Sequence, residues 1–249
     1  MIDAHQDKKK VVLLIHPMLL SAKEMKLAMT DYLGGEFRYI IPDLSAHGER
    51  SEEPYESAKK ESERLHTYLL DHGIEELTLA FGASLGGVVL LQLLAYRDIK
   101  VHKAVFEGCS VWQHAKALDC IVRTIFIHQH RKAVRNRSLA IRKMARLYGE
   151  KGASMAETFI QIDEQSIKNI CHDCAFVNLP VLSEEDQKAC LFLYGSKEFD
   201  LWAAKKILPK EYPHARMRIW DGYGHCAKMS ADSMGYCNML RNEIANSNS

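Results

Sequence analysis

Long apolar runs are missing from this chain. No stretch of its 249 residues reaches the roughly 18 apolar residues that a membrane-spanning helix needs. Neither sign of charge dominates: 33 Lys and Arg against 32 Asp and Glu leave a net charge of +1. That balance supplies no global field to draw in nucleic acid or a membrane surface. Cysteines are few and irregular, seven in number, in a chain too long to need disulfide stapling. They read as reduced thiols and place the expected location in the cytoplasm. Repeats, low-complexity tracts and Pro-rich linkers are also absent. What remains is an ordinary globular balance, 47% hydrophobic and 26% charged, able to bury a core.

The N-terminus carries one misleading pattern. Lys8-Lys9-Lys10 followed by Val11 to Leu20 resembles the basic and apolar regions of a secretory leader. His16-Pro17 interrupts the apolar part, and no small-x-small cleavage pattern follows cleanly, so the segment is expected to be a strand.

The most informative segment is Gly82-Ala83-Ser84-Leu85-Gly86-Gly87. Leu77 to Phe81 before it reads as a buried strand, and Val88 to Leu94 after it as an apolar helix. A G-x-S-x-G pattern at such a junction makes a sharp turn that lifts the serine hydroxyl clear of the backbone. Glycines at 82 and 86 let strand and helix approach where a β-carbon would not fit. The helix N-terminus then faces any negative charge that forms above the serine.

Strand-like and helix-like segments alternate along the rest. Strands are expected at Val11–Ile15, Phe37–Ile41, 77–81, Lys103–Phe106, Cys190–Tyr194 and Met217–Trp220. Helices are expected at Ser21–Leu33, closed by Gly34-Gly35, at Pro54–His72, 85–96, 199–207 and 229–245. This alternation predicts an α/β fold: a mainly parallel twisted sheet with helices on both faces and function at the C-terminal strand ends. Residues 111–185 show no strand alternation and read as a helical lid inserted into a core formed by 1–110 and 186–249. The insertion divides by charge. Cys120 to Lys151 holds nine Lys and Arg against Glu150, whereas Gly152 to Asp186 holds seven acids and Lys168.

Further motifs follow in order. His16-Pro17-Met18 ends the first parallel strand. Asp43-Leu44-Ser45-Ala46-His47-Gly48 follows the next. Gly195-Ser196-Lys197-Glu198 ends a later strand, and Gly222-Tyr223-Gly224-His225 follows the last. Together with Gly82 to Gly86, these resemble the α/β-hydrolase superfamily over about 11–110 and 188–240. There the corresponding segments are His-Gly-x, D-x-x-G-H-G, G-x-x-D and G-x-G-H. Pro17 and Ala46 stand where that family has glycine. The resemblance implies a lid-bearing serine esterase or lipase-like hydrolase with no metal and no organic cofactor. Its substrate would be a small-molecule acyl ester or thioester. Neither nucleic acid nor stable membrane association is expected, and the sequence is silent on oligomeric state.

The chemistry explains the residue types. A serine hydroxyl needs a base to remove its proton during attack, and an imidazole titrates in the right range. A carboxylate must hold the imidazole tautomer and stabilise the imidazolium. The order Ser84, Glu198, His225 is the superfamily's nucleophile, acid and histidine order. Asp200 competes with Glu198 for the acid role, and Glu107 is a third candidate. The resemblance gives the oxyanion donors as the backbone N–H groups of Met18 and Leu85. Two other readings remain open: a lyase or C–C bond hydrolase on the same scaffold acting on an anionic substrate, and a non-catalytic ligand-binding protein.

Weaker signals have plainer readings. His16 is expected to support the oxyanion loop, His47 to order its own turn, and His128 and His130 to be exposed on the insertion. Cys171-His172-Asp173-Cys174 lacks the second pair that a structural zinc site wants. Cys226 is expected to pack, and Cys109 to line the pocket. The basic run 131–146 is expected to be a solvated helix face, with attraction of an anionic substrate as its functional alternative.

Overall fold

A computed structural model of the chain describes residues 1–246. The buried β-branched and apolar runs form the sheet. Its strands are β1 (Ile2–Ala4), β2 (Lys10–Ile15), β3 (Phe37–Ile41), β5 (Leu79–Ala83), β7 (Ala104–Glu107), β8 (Cys190–Gly195) and β9 (Arg216–Trp220), in the spatial order β1-β3-β2-β5-β7-β8-β9. All neighbours pair in parallel except β1, which runs antiparallel along β3 at the edge. Two short strands, β4 (Glu76–Leu77) and β6 (Lys100–Val101), pair separately.

Alternation along β2 shows why the sheet is buried on both sides. Val11, Leu13 and Ile15 join one core with α2 (Ala58–Asp71), α3 (Leu85–Leu93) and α8 (Asp200–Glu211). Val12 and Leu14 join the other with α1 (Ala22–Leu33) and α10 (Ser233–Ala245). Between β7 and β8 the chain is helical: α4 (Lys116–Arg135), α5 (Arg137–Gln161), α6 (Glu164–Ala175) and the short α7 (Glu184–Ala189). Gly149 breaks α5 with φ of 64° and ψ of −149°.

Local capping sets several boundaries. Ser21 and Glu24 form a capping box at the start of α1, and Gly34 N–H closes its end on the Thr30 carbonyl. The helix expected from Pro54 starts instead at Ala58, with Ser57 as its cap. Tyr55 N–H donates to Ser166 Oγ at 2.8 Å, which holds Pro54-Tyr55 extended against α6. The helix expected over 85–96 ends at Leu93. The helix expected over 229–245 is two, α9 (Ala227–Ala231) and α10, because Asp232 leaves helical geometry and caps α10 through Gly235 N–H at 3.0 Å. The edge strand β1 was not expected. It is fastened by Arg38 of β3, whose guanidinium reaches the Asp3 carboxylate at 2.7 Å.

Candidate active site

The turn between β5 and α3 is the anchor. Ser84 sits there with φ of 50° and ψ of −114°, a backbone conformation that L-residues rarely adopt. The crowding around it explains the flanking glycines. A β-carbon on Gly82 would lie 2.4 Å from the Gly86 carbonyl oxygen, and one on Gly86 would lie 2.3 Å from that of Ile15. Ser84 N–H donates to the Glu107 carbonyl at 2.8 Å, tying the turn to the neighbouring strand end.

Three side chains from separate strand ends meet here. His225 Nε2 is 2.9 Å from Ser84 Oγ, and His225 Nδ1 is 3.1 Å from Glu198 Oε2. The other carboxylate oxygen of Glu198 accepts from Gly195 N–H at 2.6 Å, so the acid is fixed within its own turn. Glu198 is buried, whereas the imidazole is half-exposed. The imidazole is pushed up from its ordinary value by Cys226 and by Glu198, against the opposing effect of burial. Burial also raises the Cys226 thiol and keeps it protonated at neutral pH, where Glu198 is therefore the partner that acts.

The other two candidate acids are engaged elsewhere. Asp200 accepts from Trp112 Nε1–H at 3.0 Å. Glu107 is fully buried and accepts from Tyr236 O–H at 2.8 Å, while its Oε1 has no hydrogen-bond partner among the described residues. Burial pushes the Glu107 carboxyl up to about 7, with the Tyr236 hydroxyl working the other way.

Met18 and Leu85 are both buried, on the loop after β2 and at the first position of α3. Neither backbone N–H donates to another group among the described residues. Polar contacts hold the Met18 loop from below. His16 Nδ1–H donates to the Pro17 carbonyl at 2.8 Å, and Nε2 accepts from Leu44 N–H at 3.0 Å. Burial depresses the His16 imidazole to about 3, so it stays neutral and keeps that accepting nitrogen. His47 sets its ring nitrogens against the carbonyls of Ser45 and Met18. Ala46, where the resembled family has glycine, has φ of 67°, which accounts for the family's preference.

Sequence reasoning missed one residue of the site. Gly108, with φ of 59°, lies under the imidazole, so close that a β-carbon would sit 2.9 Å from His225 Cε1. Its signal was its place directly after a strand end, where functional residues collect. One other expectation needs correction. His130 is buried against Phe159 rather than exposed. Two residues along a helix turn a side chain by about 200°, so His128 faces solvent while His130 faces inward. Cys109 is buried against Gly87 of α3. Cys171 and Cys174 lie free on α6, and the neighbouring Asp173 accepts from Tyr55 O–H at 2.8 Å and from Ala58 N–H at 2.6 Å. Among the described residues no group of His, Cys, Asp and Glu side chains gathers as a metal site would require.

Comparison with known proteins agrees with this architecture. No protein-family model and no curated protein matches the chain. Solved structures do. An alpha/beta hydrolase family protein from Desulfitobacterium hafniense is 14% identical, with 94% of this chain and 95% of that one covered at a TM-score of 0.69. The chain has the α/β-hydrolase fold. A carboxylesterase structure from Nitrososphaera gargenis is 17% identical, covering 99% of this chain and 94% of that one at a TM-score of 0.72. A malate-bound thermophilic esterase from Thermogutta terrifontis is 16% identical, covering 97% and 92% at 0.72.

Proposed function

We propose that the protein is a serine hydrolase that cleaves a small-molecule carboxylic ester or thioester through an acyl-enzyme on Ser84. The observation that carries this reading is the hydrogen-bonded line Ser84 Oγ, His225, Glu198, with contacts of 2.9 and 3.1 Å. His225 Nε2 takes the serine proton as Oγ attacks the acyl carbon, then returns it to the leaving oxygen or sulfur. Glu198 holds Nδ1–H and stabilises the imidazolium that forms. The uncommitted N–H groups of Met18 and Leu85 serve the tetrahedral oxyanion. Water then enters by the same base catalysis and releases the acid. Esterases among the structural neighbours support the reaction class.

In this reading residues 111–185 act as the lid. Its support is that α5 and α6 are fastened to loops on the site's side of the sheet. Ser154 contacts Glu24, which caps α1 directly after the Met18 loop, and Ser166 and Asp173 hold the 55–58 segment. The test is labelling with a fluorophosphonate probe together with a panel of short to long acyl esters. Labelling and turnover that both vanish in Ser84→Ala are expected. A folded wild-type protein that neither labels nor turns over any ester would overturn the reading.

A further inference from the structure

The basic run of the insertion has no role in the reading above, and the fold leaves it unneutralised. Arg131 pairs with Glu164 at 2.7 Å. Lys132 and Arg135 on α4, and Arg142, Lys143 and Arg146 on α5, are exposed and make no ion pair among the described residues. In a chain of net charge +1 this is a strong local concentration of positive charge.

Apolar side chains share the same faces. At 100° per residue, Leu139, Arg142, Lys143, Arg146 and Leu147 fall within about 140° of arc on α5. Leu139 is 47% exposed and Leu147 70%. The inner arc holds the part-buried Ile141 and Met144. On α4 the exposed positions Ile121, Ile125, His128, Lys132 and Arg135 follow one another at intervals of four and three, a single stripe. The two helices adjoin at Asn136.

Cations interleaved with exposed aliphatic side chains match one kind of partner best. A nucleic acid would want several aromatic rings to stack on, and these arcs present only the imidazole of His128. A free small anion would leave the leucines and isoleucines in water. An anionic bilayer offers both parts, phosphate oxygens for the ammonium and guanidinium groups and an acyl boundary for the aliphatic groups. We propose that the α4–α5 corner docks this protein reversibly on an anionic phospholipid surface. Leu139, Leu147, Ile121 and Ile125 enter the acyl boundary, while Arg142, Lys143 and Arg146 lie against the headgroup phosphates. This docking is separate from the chemistry at Ser84. It is reversible because the apolar contribution is four side chains rather than a spanning helix.

The test is co-sedimentation of the full chain with phosphatidylcholine vesicles, with and without phosphatidylglycerol, over a range of salt. Binding only to the anionic vesicles, weakened by salt, is expected. The triple substitution Arg142→Ser, Lys143→Ser, Arg146→Ser should weaken it about 100-fold, given the contribution of each cation near an anionic surface. Leu139→Ser with Leu147→Ser should weaken vesicle binding about tenfold or more, and should leave retention on polyuridylate unchanged. Turnover of a short soluble ester, if wild type shows it, should be the same in both variants. All the substituted positions are exposed, and thermal melts will show that the variants fold. Failure of wild type to bind anionic vesicles would overturn the proposal. So would vesicle binding insensitive to the charge substitutions, or binding that the leucine substitutions leave unchanged, which would mark a general polyanion site.

Discussion

Gly108 lies directly beneath the imidazole of His225: a β-carbon on it would fall 2.9 Å from Cε1, 3.0 Å from Nδ1 and 3.1 Å from Cys226 Sγ. The two residues are far apart in sequence, yet the absence of one side chain sets the height of the other's ring above Ser84. Gly108→Ala should therefore displace the imidazole and also strain the backbone at a φ of 59°. Since a displacement of about 1 Å can cost about 100-fold in rate, kcat/KM for an ester should fall by that order. Stability should fall by about 1 kcal/mol or more. Steady-state kinetics and thermal melts check both, and an unchanged kcat/KM would show that the ring does not depend on this contact.

Glu198 and Asp200 can be separated directly. Glu198→Gln keeps the shape but offers Nδ1–H a weaker partner and removes the charge that stabilises an imidazolium, so kcat should fall by about 10,000-fold. Asp200→Asn keeps an oxygen for the Trp112 indole N–H and should change kcat by no more than about threefold. Equal and mild losses from both substitutions would count against Glu198 as the orienting acid.

Glu107 should give the fold a pH dependence. Its carboxyl is at about 7 in the folded protein against an ordinary 4.5. The folded state therefore keeps a proton that the unfolded state releases first. As pH rises from 4.5 to 7 the unfolded state gains, and stability declines by about 3 kcal/mol in the limit of full burial. Glu107→Gln, which still offers an oxygen to Tyr236, should flatten that decline. Denaturant unfolding of both proteins at pH 5 and pH 8 checks it. An equal pH slope in the two would rule out Glu107 as its source.

Ala46 offers a stabilising change. Its φ of 67° carries the steric cost of a side chain in the left-handed region. Ala46→Gly should remove most of that cost and raise stability by about 1 kcal/mol, while leaving His47 and the Met18 loop in place. A lower melting temperature would mean that the methyl group, which is buried, packs more usefully than the strain costs.

The parts of the fold legible in the sequence were those whose causes are local. Val11 to Ile15 and Cys190 to Tyr194 announce buried parallel strands because both their faces are covered, and the Gly82–Gly87 turn announces itself through its steric need for glycine. What stayed hidden depended on distant partners. Ile2-Asp3-Ala4 has no strand periodicity, and its pairing depends on Arg38 across the sheet edge. Pro54 looked like the first turn of a helix until Ser166, more than a hundred residues on, claimed the next backbone N–H. In sequence Glu198 is the first choice as the histidine's acid, but Asp200, two residues on, competes with it. The tight turn from Gly195 brings Glu198 to His225 Nδ1, whereas Asp200 at the start of α8 takes the Trp112 indole N–H. His130 likewise needed the position of Phe159 to reveal its inward face.

The helices α4 to α6 begin and end at nearly one point. Val177 N–H donates to the Trp112 carbonyl at 2.8 Å, Ala115 N–H to that of Ala175 at 3.0 Å, and Ser110 Oγ–H to that of Cys174 at 2.5 Å. A segment whose ends are already joined can grow or shrink at small cost, about 0.6 kcal/mol for each doubling of a flexible loop. The sheet therefore has no stake in what is built on that base. If the segment is the lid proposed above, it can be exchanged for another of different size and polarity while the line from Ser84 to Glu198 keeps its geometry. On that reading, selectivity and reactivity would be held in two parts of the molecule that can change independently.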